Sequence, residues 1–231
     1  MTDQKEHELG VSLKKVNPSS IVEVVYQELE SALLSGKFKL GERLNEVRLS
    51  KQMGVSRGPF REAARQLERR GWLKSEPRRG FFVRTFSPNE IANIFDYRLC
   101  LETYAVRQAV GTLTDAQLRN LKMKLHALEI AANEYKTQRV AEATMAFHQE
   151  ICALSENQVI IDAITDISLD IQLFMALLGT VYSDPLEFVR RNQRIIDAIE
   201  ARDVETTIRE IEDYTHLGRD EVIGFFDKPK T

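Results

Sequence analysis

The chain has 231 residues, 43% hydrophobic and 29% charged, a composition that forms a core and excludes disordered and fibrous classes. No apolar run approaches the ~18 residues of a membrane span, and the start MTDQKEHELG lacks the basic and apolar regions of a secretory signal. The net charge of −3 hides an asymmetry: through Phe86 there are 17 Lys and Arg against 11 Asp and Glu, and beyond it 15 against 24. A basic first third on an acidic remainder predicts that only the first part meets a polyanion.

In chain order, residues 1–17 lack an apolar period and read as a loose arm. SSIVEVVYQELESALLSG then opens with Ser20 three residues before Glu23, a capping box, and carries Ile21, Val24, Val25, Leu29, Ala32 and Leu33 at helical spacing up to Gly36. EVRLSKQMG predicts a short helix with Leu49 and Met53 inward. Ser56 is placed as the cap of a third helix running to about Arg70. WLKSEPRRGFFVR shows two short β-prone runs around Pro77 and Gly80, a hairpin. Three helices followed by a hairpin outline a winged helix-turn-helix over residues 18–86.

From Ser87 onward the pattern is helical only. SPNE combines a capping Ser87, Pro88 at the first helical position and Glu90, and TDAQ repeats the logic from Thr114. Six helices are expected, near Pro88–Val110, Asp115–Lys136, Arg139–Ser155, Gln158–Gly179, Pro185–Ala201 and Val204–Phe225. The fold class is therefore mainly α, an N-terminal winged helix-turn-helix followed by an all-α bundle over residues 87–231, with the boundary near Thr85–Ser87. Cys100 and Cys152 each lie in an apolar helical pattern without CxxC spacing and are expected to be core thiols in a reducing cytoplasm.

The stretch GVSRGPFREAARQLERRGW carries the strongest functional signal. On a helical wheel at about 100° per residue with Phe60 at the origin, Ala63, Ala64 and Leu67 join it on one face, and Arg57, Arg61 and Arg65 form a stripe beside that face. The stripe begins in the first helical turn, behind Ser56, where backbone N–H groups and the macrodipole favour phosphate. A short helix and a tight turn precede it, and a hairpin bearing Arg78 and Arg79 follows, as a DNA-reading helix and wing require. Arginine's planar fork can read guanine or clamp phosphate in two-point fashion. Arg48, in the short helix, is a further phosphate contact by position.

LNEVRLSKQMGVSRGPFREAARQLERRGWL…RRGFFV resembles the DNA-binding domain of the GntR family of bacterial transcription regulators, over roughly Ser20 to Val83. The resemblance implies that Arg57 and Arg61 contact DNA and that Gly80 stands at the wing tip. Gly58 replaces a threonine often found there, which removes a hydroxyl contact and alters the preferred operator. From FDYRLCLE through FHQEI to the last helix, the chain resembles the FadR-type, all-helical effector domain known as FCD.

Many FCD domains bind a divalent metal through an aspartate four residues before a histidine and two further histidines. By that resemblance His148 is retained in TMAFH, but Thr144, Asn192 and Tyr214 stand at the other three positions, and His216 lies about 200° round its helix from the last one. One imidazole with a hydroxyl, an amide and a phenol is a poor shell for zinc or nickel, so no metal or other cofactor is expected. Those four residues would instead line a pocket for an organic ligand. Arg98 in DYRLCLE occupies a family position that faces the pocket and pairs with a ligand carboxylate; the alternative is a surface arginine paired with Asp96 or Glu102. Arg139 is a weaker candidate of the same kind. An arginine in a partly dry pocket favours a small organic anion.

No HExxH, paired CxxC, Gly-rich phosphate loop or Ser/His/Asp spacing is present, so no catalytic residue is assigned. The expectation is a metabolite-responsive transcription regulator, by resemblance a repressor, acting as a homodimer on double-stranded operator DNA. Two alternatives stand beside it: a DNA-binding protein whose helical domain only dimerises, and a catalyst tethered to DNA.

Overall fold

The computed structural model describes residues 21–134, 137–178 and 184–226. The expected arm over residues 1–17 and Ser20 of the first capping box lie outside the described residues. α1 (Ile21–Leu34) buries Val25, Leu29 and Leu33, a single face at four-residue spacing. It ends as the sequence predicts: Gly36 takes φ +69°, and the amides of Gly36 and Lys37 return to the carbonyls of Leu33 and Ala32, at 3.0 and 3.1 Å. α2 (Glu46–Gln52) is capped by Asn45, whose side chain accepts from the Arg48 amide.

α3 (Arg57–Arg69) buries Phe60, Ala63, Ala64 and Leu67 against α1, and leaves Arg57, Arg61 and Arg65 exposed. Ser56 occupies the N-cap position, but its hydroxyl makes no capping hydrogen bond. β1 (Leu73–Glu76) and β2 (Gly80–Val83) pair antiparallel, from Leu73 opposite Val83 to Glu76 opposite Gly80. Gly80 is therefore the first residue of β2 and pairs in the ladder; Pro77, Arg78 and Arg79 form the tip beyond it. The segment before α2 extends the sheet, with Leu44 donating to the Phe81 carbonyl at 2.9 Å and Val83 to that of Glu42 at 2.8 Å.

Among the described residues the remainder is helical: α4 (Pro88–Ala109), a 3-10 turn (Val110–Thr112), α5 (Asp115–Asn133), α6 (Thr137–Ala153), α7 (Gln158–Leu178), α8 (Pro185–Glu200) and α9 (Val204–Phe226). Both predicted capping boxes form, Ser87 with Glu90 and Thr114 with Gln117. α4 packs on α9, α5 on α6 and α8, α6 on α7, and α8 on α9. Cys152 is buried, but Cys100 is exposed and corrects the expectation of a core thiol. It falls about 200° round α4 from the buried Arg98, on the same outer stripe as exposed Tyr97 and Tyr104.

The winged domain and the bundle share one apolar core that joins Leu29, Phe60 and Trp72 to Ile91, Phe95 and Phe174. α7 forms most of the junction. The Phe174 ring lies 5.6 Å from Phe86 and 6.0 Å from Phe95, and the Trp72 indole N–H donates to Asp170 at 3.1 Å. Burial holds the Asp170 carboxyl above its ordinary range, against the lowering pull of Trp72, Arg84 and Arg70. Gly36 is a second anchor, because a Cβ there would stand 2.8 Å from the Ala176 carbonyl oxygen. Gly36→Ala therefore meets both a left-handed backbone and a backbone clash, and is expected to cost at least about 1–2 kcal/mol. Urea denaturation checks it, and an unchanged midpoint would refute the close approach.

Candidate functional site

Two groups of functional side chains emerge, one on the surface of the winged domain and one inside the bundle. On the surface, the first turns of α3, the start of α2 and the wing enclose a groove of about 670 Å³ whose lining includes Arg43, Arg57, Arg61, Arg78 and Arg79. The α3 period supplies this arrangement: the apolar face holds the helix down, so the adjacent stripe must face outward. The Arg57 and Arg61 side chains are 60% and 47% exposed, enough for both to reach a partner in solution.

Glu46 lies beneath them and is only 10% exposed; its Oε2 is 3.4 Å from Arg57 and 3.5 Å from Arg61. Its Oε1 would stand 3.1 Å from a Cβ at Gly80, which also takes φ +91°. One carboxylate thus orients two arginines, and the positive φ favours glycine at position 80. Sequence reasoning missed Glu46, because its partners are 11 and 15 residues away. Arg48 is exposed on α2, Arg65 and Gly58 are exposed on α3, and Arg79 pairs with Glu76 while its guanidinium stacks 5.0 Å from the Phe82 ring.

Inside the bundle, Arg98 and Glu102 from α4, Thr144 and His148 from α6, Asn192 from α8, and Tyr214 from α9 are all buried. Arg98 Nε donates to Glu102 Oε1 at 2.5 Å, and the two side chains are 2% and 0% exposed. Of the two alternatives for Arg98, the partner Glu102 belongs to the surface reading and the location to the interior one. Glu102 Oε2 is 3.0 Å from His148 Nδ1, the His148 ring is 4.8 Å from the Tyr214 ring, and the Arg98 guanidinium lies 5.3 Å over the same ring.

Arg139 does not join this cluster. It is 54% exposed and pairs with Glu134 on a shallow surface hollow between α5 and α6. Nine residues separate it from His148, half a rotation at about 100° per residue, so the two cannot face the same interior. His126 and His216 are exposed as well.

Burial sets the protonation of the cluster. It holds His148 down to about 4, with Arg98 adding to the effect and Glu102 opposing it. It pushes the Tyr214 phenol up to about 12 and raises the Cys152 thiol. Glu102 is ionised below the ordinary carboxylate range, because Arg98 and His148 outweigh its burial. Since folded His148 takes a proton less readily than the unfolded chain, its stabilising contribution is complete above pH 6.5 and is lost as pH falls toward 4. The loss is expected to reach about 3 kcal/mol. Denaturation at pH 7.5, 5.5 and 4.5 checks it: wild type should fall more steeply than His148→Gln, and parallel curves would exclude the assignment.

The donor set does not fit a divalent metal. Among the described residues no group of three or more His, Cys, Asp or Glu side chains could hold one. The single carboxylate near His148 already bonds both Arg98 and His148, and the guanidinium opposes a second cation in the same space. No helix among the described residues is long and apolar enough to cross a membrane.

Comparison with known proteins agrees with both halves. The family of bacterial regulatory proteins called gntR matches residues 21–83, and the FCD domain family matches residues 93–215. An uncharacterised HTH-type transcriptional regulator of Bacillus subtilis, YdhC, is 29% identical over 182 residues, 78% of this chain and 81% of that protein. The HTH-type transcriptional repressor RspR of Escherichia coli is 26% identical over 190 residues, 82% of this chain and 83% of that one. A crystal structure of a GntR transcriptional regulator from Rhodococcus superposes with a TM-score of 0.78 at 22% identity, covering 88% of this chain and 97% of that chain.

Proposed function

Because this chain belongs to the gntR family of bacterial regulatory proteins and carries an FCD domain, we propose that it is a cytoplasmic repressor. As a homodimer it binds an operator through α3 and the wing, and a small organic anion held in the bundle releases or retunes it. The observation that carries the DNA reading is the exposed stripe of Arg57, Arg61 and Arg65, of which Arg57 and Arg61 line the same groove as Arg78 and Arg79. Arg57 and Arg61 read base edges, with Gly58 in the first turn of α3 meeting the DNA backbone. Arg48, Arg65, Arg79 and the exposed Ser56 hydroxyl contact phosphate, and Gly80 lets the wing approach closely.

Two such domains engage half-sites about one helical turn apart on a near-palindromic operator. The outer stripe of Tyr97, Cys100 and Tyr104 on α4 supplies an apolar surface for the dimer. The sign of regulation follows a relative named a repressor. Within the bundle, Arg98, Thr144, His148, Asn192 and Tyr214 form the effector site; Arg139 is left out. An effector shifts the two DNA-binding domains only if its affinity differs between their arrangements. The continuous core from α7 to Trp72 gives that difference a route to α3. No catalytic group is assigned, as the relatives are transcriptional regulators.

Fluorescence anisotropy on duplexes from the DNA around the chain's own gene tests the proposal. Nanomolar, salt-dependent binding is expected. A purified protein that ignores every duplex at low ionic strength refutes it. Repetition with candidate acids tests the effector limb, since a true effector also raises the thermal midpoint.

A further inference from the structure

The polar cluster in the bundle is defined by what its buried atoms still lack. Thr144 Oγ1, His148 Nε2 and Asn192 Oδ1 have no hydrogen-bond partner among the described residues, and all three side chains are buried. Atoms in that condition are rare in folded proteins, and each calls for an explanation. Their chemistry is fixed by their neighbours. Asn192 Nδ2 donates to the Phe188 carbonyl at 2.9 Å; the reversed amide would set oxygen against oxygen, so Oδ1 is the atom left over. Glu102, an ionised carboxylate, only accepts, so His148 Nδ1 must carry the proton that bridges them at 3.0 Å. In the neutral ring, Nε2 is then a bare lone pair. His148 stands 4.8 Å from the Tyr214 ring, and the Asn192 side chain hydrogen-bonds the Tyr214 phenol, so both residues flank Tyr214.

Two obligate acceptors exclude some partners and favour others. A bare carboxylate offers only lone pairs and leaves both unsatisfied. A divalent ion would face one imidazole and neutral oxygens, with the nearby carboxylate committed to Arg98. Arg98 and Glu102 also cancel in charge, so the site itself does not demand an anion. A hydroxyl group satisfies the requirement, because it donates to a lone pair and accepts from a neighbour such as Thr144.

We propose that the bundle recognises a hydroxylated small molecule without a metal, two of its hydroxyl hydrogens being donated to His148 Nε2 and Asn192 Oδ1. The inference rests on the effector-binding reading above and changes its ligand requirement, from negative charge to hydroxyl groups. A neutral polyol and a hydroxylated acid share this chemistry, and the test separates them.

Thermal shift of the full chain is measured with xylitol, D-gluconate, succinate and zinc chloride, each alone, on protein that binds operator duplex. Xylitol, D-gluconate or both are expected to raise the midpoint, the first marking a neutral polyol and the second alone a hydroxylated acid. Succinate and zinc are expected to leave it unchanged. Asn192→Leu should weaken apparent affinity for the active probe by about tenfold, the loss of one well-placed hydrogen bond. His148→Gln, which restores an acceptor oxygen, should weaken it by less than His148→Phe does. Protein that binds duplex yet ignores both hydroxylated probes, or answers equally to succinate or zinc, overturns this inference and leaves the regulator reading intact. Absence of duplex binding would instead sink that reading. Should the leucine and phenylalanine variants fail to fold, nitrogen-15 spectra of the wild-type histidine rings decide: a proton on His148 Nε2 overturns the inference.

Discussion

Alanine at both Arg57 and Arg61 is expected to weaken operator binding by more than the two single substitutions combined. Each arginine in a bidentate base contact contributes about 1–3 kcal/mol, so each single variant should lose roughly 5- to 150-fold. The excess in the double variant comes from Glu46. Its Oε2 is shared by both guanidiniums at 3.4 and 3.5 Å, so either arginine alone still neutralises it. With both removed, a largely buried carboxylate faces the phosphates without a cation between, and like charge then repels the duplex. The corollary concerns Glu46→Gln, which should raise affinity for random duplex relative to the operator, because the arginines lose the group that orients them. Anisotropy titrations at several salt concentrations check this, with the salt slope falling by about one for each phosphate that is no longer neutralised. Strict additivity of the two arginines would exclude a shared carboxylate as their organiser.

Glu102→Leu is expected to be among the most damaging single substitutions in the bundle. It removes the carboxylate that bonds Arg98 at 2.5 Å and His148 at 3.0 Å, and breaks an ion pair whose two side chains are 2% and 0% exposed. Removing one partner of a buried ion pair typically costs about 3–5 kcal/mol, a large share of the ~5–15 kcal/mol that stabilises an ordinary protein. A fall in thermal midpoint of roughly 6–20 °C follows for a chain of this size. Replacing both residues, Arg98→Met with Glu102→Leu, should recover most of that loss, since no charge then remains to be desolvated. Urea denaturation of wild type, both single variants and the double variant supplies the cycle. A double variant as unstable as the sum of the singles would show that the pair does not act as a unit.

How much of this was legible depended on how far apart the interacting residues lie. Phe60, Ala63, Ala64 and Leu67 predicted the buried face of α3, and the same four are fully buried, because helical periodicity is a property of near neighbours. The Ser87–Glu90 and Thr114–Gln117 boxes were equally readable, since each closes within one turn. Thr144, His148, Asn192 and Tyr214 were named by resemblance, and the structure brings them into the interior from three helices. Arg139 was named in the same way and lies outside. In sequence it is a weaker candidate of the same kind as Arg98, and rotation about α6 decides which side it serves. Cys100 was misread for the same reason, as an apolar context does not reveal which face of α4 meets another helix.

The amino-acid order alone determined where helices begin and end to within about three residues, which stripe of α3 is cationic, and that a hairpin follows it. These depend on backbone capping, side-chain periodicity and turn chemistry within a few residues. Only the tertiary structure decided that Glu46 pairs with both arginines, that Asp170 fastens Trp72 to α7, and that Arg98 is sealed inside with Glu102 and His148. Each of those depends on burial and charge between segments far apart in the chain, and desolvation acts on a side chain only once packing has removed its water.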